Sequence, residues 1–183
     1  MSSYSKSFGL TFINDDHFYA TVAIFQNLFN GGCRLFWGLS YDRFGFRKCM
    51  ILIGVVTTAM TATLPLLPYL GQESLTAKAG YALVMIILYG TFPGIYAVVA
   101  PAVTDAFGQI HFKANFGLLF TQTFAFCVTV LIITQVTVIY DVLGYNGMFL
   151  LAGVFGVVGV VNNVFIPGDL RPAIGRENKY ISI

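Results

Sequence analysis

Charge is what this sequence has least of: 10% of its 183 residues are Asp, Glu, Lys or Arg, against roughly 25% in a soluble domain. So few charges leave no polar coat for a water-exposed surface, and a soluble globular domain is excluded. The formal net charge of +2 carries no basic footprint for nucleic acid. Two histidines and three cysteines are too few and too scattered for a zinc site or a disulfide framework; Cys33, Cys49 and Cys127 sit in or beside apolar runs and read as small buried hydrophobes. No phosphate loop, nucleophile–base pair or paired carboxylates occur, so nothing points to an enzyme, and no cofactor or metal is implied. The N-terminus, MSSYSKSFGLTFINDDH, lacks the continuous apolar stretch and small-residue cleavage site of a signal peptide.

What is present is apolar: 57% hydrophobic and 16% aromatic residues, with 19 glycines, a composition suited to helices packed closely in lipid. About 20 apolar residues are needed to cross the hydrocarbon core. Five segments qualify: His17 to Leu39, Cys49 to Leu70, Gly80 to Val103, Asn115 to Tyr140 and Gly147 to Ile166. Charged or turn-forming stretches bound them, among them LGQES, DAFGQIHFKAN and YDVLGYN. Lipid supplies no partners for open backbone, so these are expected to be helices, with Pro65, Pro68, Pro93 and Pro101 tolerated as kinks. Phe8 to Ile13 is too short to cross and reads as the last turns of a helix. Residues 1–16 are therefore expected to be an extracellular or lumenal stub, 17–166 a five-helix bundle and 167–183 a cytosolic tail.

Seven cations (Arg43, Arg47, Lys48, Lys113, Arg171, Arg176 and Lys179) fall on one side of these spans, and only Lys6 and Lys78 on the other. The positive-inside rule then puts the N-terminus outside and the C-terminus in the cytosol; a plasma-membrane location is expected ahead of an organelle.

The turn GLSYDRFGFRK, Gly38 to Lys48, resembles the G-x-x-x-D-R-x-G-R-[RK] signature of the major facilitator superfamily, with Phe46 interrupting the basic run. FQNLFNGGCRLFWGLSYDR, and FPGIYAVVAPAVTDAFGQIHFKANFGLLFT from Phe92 to Thr121, are similar to runs of the oxalate/formate antiporters and their monocarboxylate-transporter relatives. The resemblance implies an all-α membrane protein: five transmembrane helices, equivalent to helices eight to twelve, forming most of one six-helix major-facilitator bundle. It also implies a missing N-terminal six-helix half, supplied in cis or by a partner chain. In the family the charged turn latches the two halves, which would make Asp42, Arg43, Gly45, Arg47 and Lys48 gating residues. As bare cations, the same residues also fit ordinary interfacial anchors.

Arg34 lies eight residues before Asp42, about 12 Å inside the cytosolic end of its span. A cation at that depth costs about 2.5 kcal/mol or more and is read first as functional. Asn27, Asn30 and Arg34 follow an i, i+3, i+7 pattern on one helix face, and Gly31 and Gly32 permit close approach. This face is expected to bind the carboxylate of a small organic anion; snorkelling toward the headgroups is the plainer alternative. The resemblance also makes Arg34 the anion-binding residue. Its second cation, a helix-eleven lysine in the antiporters, is replaced here in LLFTQTF, with Thr123 at that position and Gln122 beside it. One cation favours a monocarboxylate over oxalate. Gln122 and Thr123 are therefore candidate substrate contacts, although polar groups in lipid helices are also common packing residues. His17 and His111 are expected at the interfaces, Asp105 as a helix cap, Asn162 and Asn163 as interhelical glue, and Gly153, Gly156 and Gly159 at a tight helix contact.

The residues therefore predict part of a secondary active transporter, symporter or antiporter, moving a small organic anion through the lipid bilayer by alternating access. The competing reading is a non-transporting membrane protein or inactive derivative that uses the bundle for packing or assembly.

Overall fold

Four glycines break an otherwise almost continuous run of helix. In the computed structural model, which describes residues 2–71, 74–135 and 137–166, helix α1 (Ser2–Gly9) leads through a short turn into α2 (Asp16–Phe44). Helix α3 (Phe46–Thr63) ends in a 3₁₀ segment (Leu64–Leu70), followed by α4 (Leu75–Gln135) and α5 (Thr137–Phe165). The breaks fall at Gly45, Gly71, Gly108 and Gly144, all with positive φ. No strand occurs among the described residues. The protein is an all-α membrane protein. The expected tail, 167–183, lies outside the described residues.

The 61-residue α4 is two helices meeting at one residue, Gly108, whose φ of 72° and ψ of 167° are open essentially to glycine alone. The chain reverses there. Tyr96 and Phe120 each lie twelve residues from Gly108, and a straight helix would hold them about 36 Å apart, yet their rings stack with centroids 5.9 Å apart. The expected third span lies in the first arm of this hairpin, and the expected fourth, Asn115 to Tyr140, follows the second arm as far as Gln135 and continues into α5. The sequence suggested a loop over 105–114, but helix runs up to Gly108 on both sides. Pro65 and Pro68 do more than kink α3: spaced three apart, they sit in the 3₁₀ turn that ends it.

Among the described residues, three helical stretches are long and apolar enough to cross a membrane: Phe46–Leu70, Leu75–Ala125 (which includes the reversal at Gly108) and Gly147–Phe165. The expected first span is helical as α2, but Gln26, Asn27, Asn30 and Arg34 interrupt its apolar character. Large apolar side chains are exposed on every long helix, including Leu35, Leu39, Leu52, Leu118, Val154 and Phe155. Apolar surface on that scale belongs against lipid or another protein.

Helices α2 and the first arm of α4 run parallel, tied at both ends. Lys78 Nζ lies 3.0 Å from Asp15 Oδ2 at one end, and the Tyr41 hydroxyl donates to Asp105 Oδ2 at 2.7 Å at the other. About 26 residues separate these ties, or about 40 Å of helix, close to a bilayer with its headgroups. At the first end Asp15 caps α2 by accepting from the Phe18 N–H at 3.0 Å. That bond, then Lys78, holds its carboxyl below the usual carboxylate range. Lys6 pairs with Asp16 at 2.8 Å.

Two apolar clusters fill the interior. One, near the Asp15 end, joins Phe8, Phe12 and Ile13 to Tyr19, Leu67, Tyr81 and Met85. The segment expected to be a stub therefore packs into the core, with the Phe8 ring 4.9 Å from Phe149. The other, near Gly45, joins Trp37, Tyr41, Cys49, Ile53, Val98 and Ala102.

On α5, Gly156 meets Thr58 of α3, whereas Gly153 and Gly159 face open space. The sequence pattern placed all three at a tight contact; one is there. The second contact of this crossing comes from α3, where Gly54 lies under Val160. Asn162 is exposed and Asn163 half-buried.

Candidate functional site

Three files of side chains run along α2, each at three- and four-residue spacing. The buried file is Tyr19, Val22, Gln26, Trp37 and Tyr41, with half-buried Asn30 and Cys33 completing its middle. An exposed aliphatic file holds Ile24, Leu28, Leu35 and Leu39. Between them runs Asn27, Gly31, Arg34 and Gly38. Asn27 and Arg34 are exposed, and a Cβ at either glycine would meet nothing within 4 Å. Arg34 thus stands on an open strip of small and polar residues, off the core and beside the surface suited to lipid. Among the described residues it has no acidic partner.

The middle of the buried file meets a close approach of α4. Gly90 and Gly94 lie one turn apart; a Cβ at the first would stand 3.0 Å from Cys33 Sγ, and at the second 2.7 Å from the Trp37 ring. Such small-residue spacing lets membrane helices touch backbone to side chain. Pro93 sits between them and lacks the N–H that would otherwise bond the carbonyl of Tyr89, four residues back. Asn30 Nδ2 takes up that carbonyl, 3.3 Å away. Trp37 Nε1 donates to the Gly90 carbonyl at 3.0 Å. Asn30 Oδ1 then lies 3.5 Å from Arg34 Nη2, long for a hydrogen bond but close enough for attraction.

Of the candidate substrate residues, the structure brings Asn30 and Arg34 together and leaves Asn27 on the same open strip. Gln122 and Thr123 are exposed on the second arm of α4, and no described contact joins them to Arg34. Thr123 donates to the Leu119 carbonyl of its own helix at 2.9 Å. It shares a face with Phe116, seven residues earlier. That face carries a chain of rings, Phe112 to Phe116 to Phe120 to Tyr96 to Phe92, with centroid separations of 4.8–5.9 Å. Gln122 lies about a third of a turn away.

The charged turn forms around Gly45, whose φ of 78° ends α2 and starts α3 without a linker. Asp42, Arg43 and Lys48 are exposed and Arg47 half-buried. The Arg43 guanidinium lies over the Phe44 ring, 5.6 Å from its centroid. None of the four charged side chains is in an ion pair among the described residues. Cys33 and Cys49 are free thiols, the Cys127 side chain lies outside the described residues, and no metal-binding cluster occurs among those described.

Sequence reasoning passed over Trp37, Tyr41 and Gln26. Trp37 is the sole tryptophan, and the glycine pair that accommodates it was the available signal. Gln26 precedes Asn30 by one turn on the buried side. Asp105, read as a cap, instead accepts from Tyr41 across the helix pair.

With this geometry in place, one comparison is informative. The chain is similar to an antiporter. Over 92 residues, 50% of this chain, it is 34% identical to an oxalate:formate antiporter of Oxalobacter formigenes. The matched stretch is 21% of that protein, so it spans about a fifth of the relative's length. No family model matches the chain, and no solved structure does. By its name that relative is a transporter rather than an enzyme.

Proposed function

We propose that this chain forms part of a secondary active transporter that moves a small organic anion by alternating access, with Arg34 as the anion-binding cation. The observation that carries the reading is the placement of Arg34: within α2, on an open strip beside exposed aliphatic side chains, with no ion pair among the described residues. A cation so placed is costly in lipid and is stabilised by an anionic occupant. The planar guanidinium can hold a carboxylate through two parallel N–H···O bonds. Asn27 and the open positions at Gly31 and Gly38 leave room beside it. Similarity to an oxalate:formate antiporter supports an organic anion as cargo. A single cation on this strip favours a monocarboxylate. Gln122 and Thr123 would complete the site only if a second bundle closed over α2 and the α4 hairpin.

That second bundle would be the N-terminal six-helix half of a major-facilitator architecture, in cis or as a partner chain, with α2 to α5 belonging to the C-terminal half. Its arrival would give Asp42, Arg43, Gly45, Arg47 and Lys48 a surface to latch. That none of their charged side chains is in an ion pair among the described residues supports such a role. Arg43, Arg47, Lys48 and Lys113 near the Gly45 end, against Lys6 and Lys78 at the other, support the Gly45 end as cytosolic and the N-terminus as outside.

The test is uptake of formate and oxalate into vesicles containing the full protein. Arg34→Lys keeps the charge but removes the fork, and should abolish saturable formate uptake while the protein still reaches the membrane. Unchanged uptake sinks the reading. A protein that no longer accumulates makes Arg34 structural and favours the non-transporting alternative.

A further inference from the structure

We infer that Asn30 is a positioning residue for Arg34, its amide orientation fixed by Pro93 of the neighbouring helix; this rests on the reading of Arg34 as the anion-binding cation. Periodicity alone would make Asn30 a substrate contact, but one of its N–H groups and its carbonyl oxygen are already directed elsewhere.

A proline in a helix leaves the carbonyl four residues earlier without its backbone donor. In α4 that carbonyl belongs to Tyr89, and Asn30 Nδ2 lies 3.3 Å from it. The two ends of an amide are chemically distinct: only the NH₂ can donate to a carbonyl, and only the oxygen can accept from a guanidinium. Once the NH₂ end is directed at Tyr89, the oxygen end must face the other way. It faces Arg34, with Oδ1 3.5 Å from Nη2. Arg34 cannot accept a hydrogen bond, so the reverse amide orientation would set NH₂ against guanidinium and oxygen against carbonyl. Pro93 therefore decides which end of Asn30 Arg34 meets.

The close packing at this level makes the arrangement stiff. Gly90 and Gly94 hold α4 against Cys33 and Trp37, and the indole N–H binds the Gly90 carbonyl at 3.0 Å. Asn30 thus lies one turn before Arg34 in a stretch of α2 held against α4 by Cys33 and Trp37. A guanidinium attracted toward the helix surface by Oδ1 is held back from snorkelling to the headgroups, and its remaining N–H groups stay directed over the Asn27–Gly31 strip.

The experiment separates satisfying a carbonyl from positioning a cation. Formate uptake kinetics and thermal unfolding are measured on the full protein in four forms: parent, Asn30→Ala, Asn30→Ala with Pro93→Ala, and Arg34→Lys. Asn30→Ala should lower the melting midpoint, because the hydrogen bond that joins α2 to the Tyr89 carbonyl of α4 is lost. It should also raise the formate KM by about tenfold with kcat little changed, the signature of lost binding. Adding Pro93→Ala supplies a backbone N–H to the Tyr89 carbonyl and should bring the melting midpoint back while leaving KM high. Recovery of both overturns the inference, since Asn30 would then serve the carbonyl alone. An unchanged KM in Asn30→Ala overturns it too, as does a double variant whose melting midpoint does not recover. In each of those cases, loss of uptake in Arg34→Lys leaves the underlying reading standing. Uptake surviving Arg34→Lys removes both.

Discussion

Gly94→Ala is the substitution the α2–α4 contact predicts most sharply. An added Cβ would lie 2.7 Å from Cγ and Cδ1 of Trp37 and 2.8 Å from its Nε1. Carbon contacts settle at about 3.5–4.0 Å, so the indole must retreat by about 1 Å. Retreat breaks or stretches the Nε1–Gly90 bond, with a net value of about 1 kcal/mol, and disturbs a well-packed interface at about 1–3 kcal/mol. Alanine recovers about 1 kcal/mol through its higher helix propensity. The balance is about 2 kcal/mol destabilising. Gly31→Ala is the control: it lies in a neighbouring helix with nothing within 4 Å of its Cβ position, so only the propensity gain should appear. The two alanines should therefore differ by about 3 kcal/mol in opposite directions.

Unfolding by sodium dodecyl sulfate in mixed micelles measures this difference, and Trp37 supplies the signal because the sequence holds no other tryptophan. In Gly94→Ala the unfolding midpoint should fall and the folded-state emission should shift to the red as the ring leaves its buried slot. Superimposable curves and spectra for Gly94→Ala and Gly31→Ala would refute the contact, and with it the registry of α2 on α4 that places Asn30 beside Tyr89.

Two further expectations follow from the ends of the helices. Gly108→Ala also has open space around it, yet it should destabilise by about 1–3 kcal/mol, because φ of 72° with ψ of 167° is denied to a side chain; the same detergent titration, finding it as benign as Gly31→Ala, would contradict the hairpin. Asp15 has a folded pKa below its unfolded value of about 3.9, so its contribution is fully present above that value and is lost as pH falls through the folded pKa. The melting midpoint should then be flat from about pH 7 to 5 and drop below about 4, with part of that acid limb missing in Asp15→Asn.

The turns were legible because each needed a residue that only glycine provides. Gly45, Gly71, Gly108 and Gly144 each sit within a charged or polar interruption visible in the sequence. What the interruptions concealed was their brevity. Asp105, His111 and Lys113 look like loop residues, but at a bilayer interface they remain solvated while helical, so one glycine suffices to reverse the chain. The strip bearing Arg34 was legible for a related reason: a cation in an apolar run has few bland explanations. The core role of Phe8, Phe12 and Ile13 was not, because a short apolar segment shows its partners only when Tyr81 and Phe149 arrive from distant helices.

Asn30 marks the physical boundary between what periodicity reports and what it omits. Spacing on α2 places it with Arg34, which is correct, and suggests that both face a ligand. The competing claim on Asn30 comes from Pro93, 63 residues away in sequence, and becomes visible only when α2 and α4 run parallel in the register set by Gly90 and Gly94. In lipid no water can take up the Tyr89 carbonyl, so a side-chain donor on the facing helix is its natural partner. Asn30 carries both a donor and an acceptor, so one amide serves backbone and cation together, and the guanidinium is left to face the open strip.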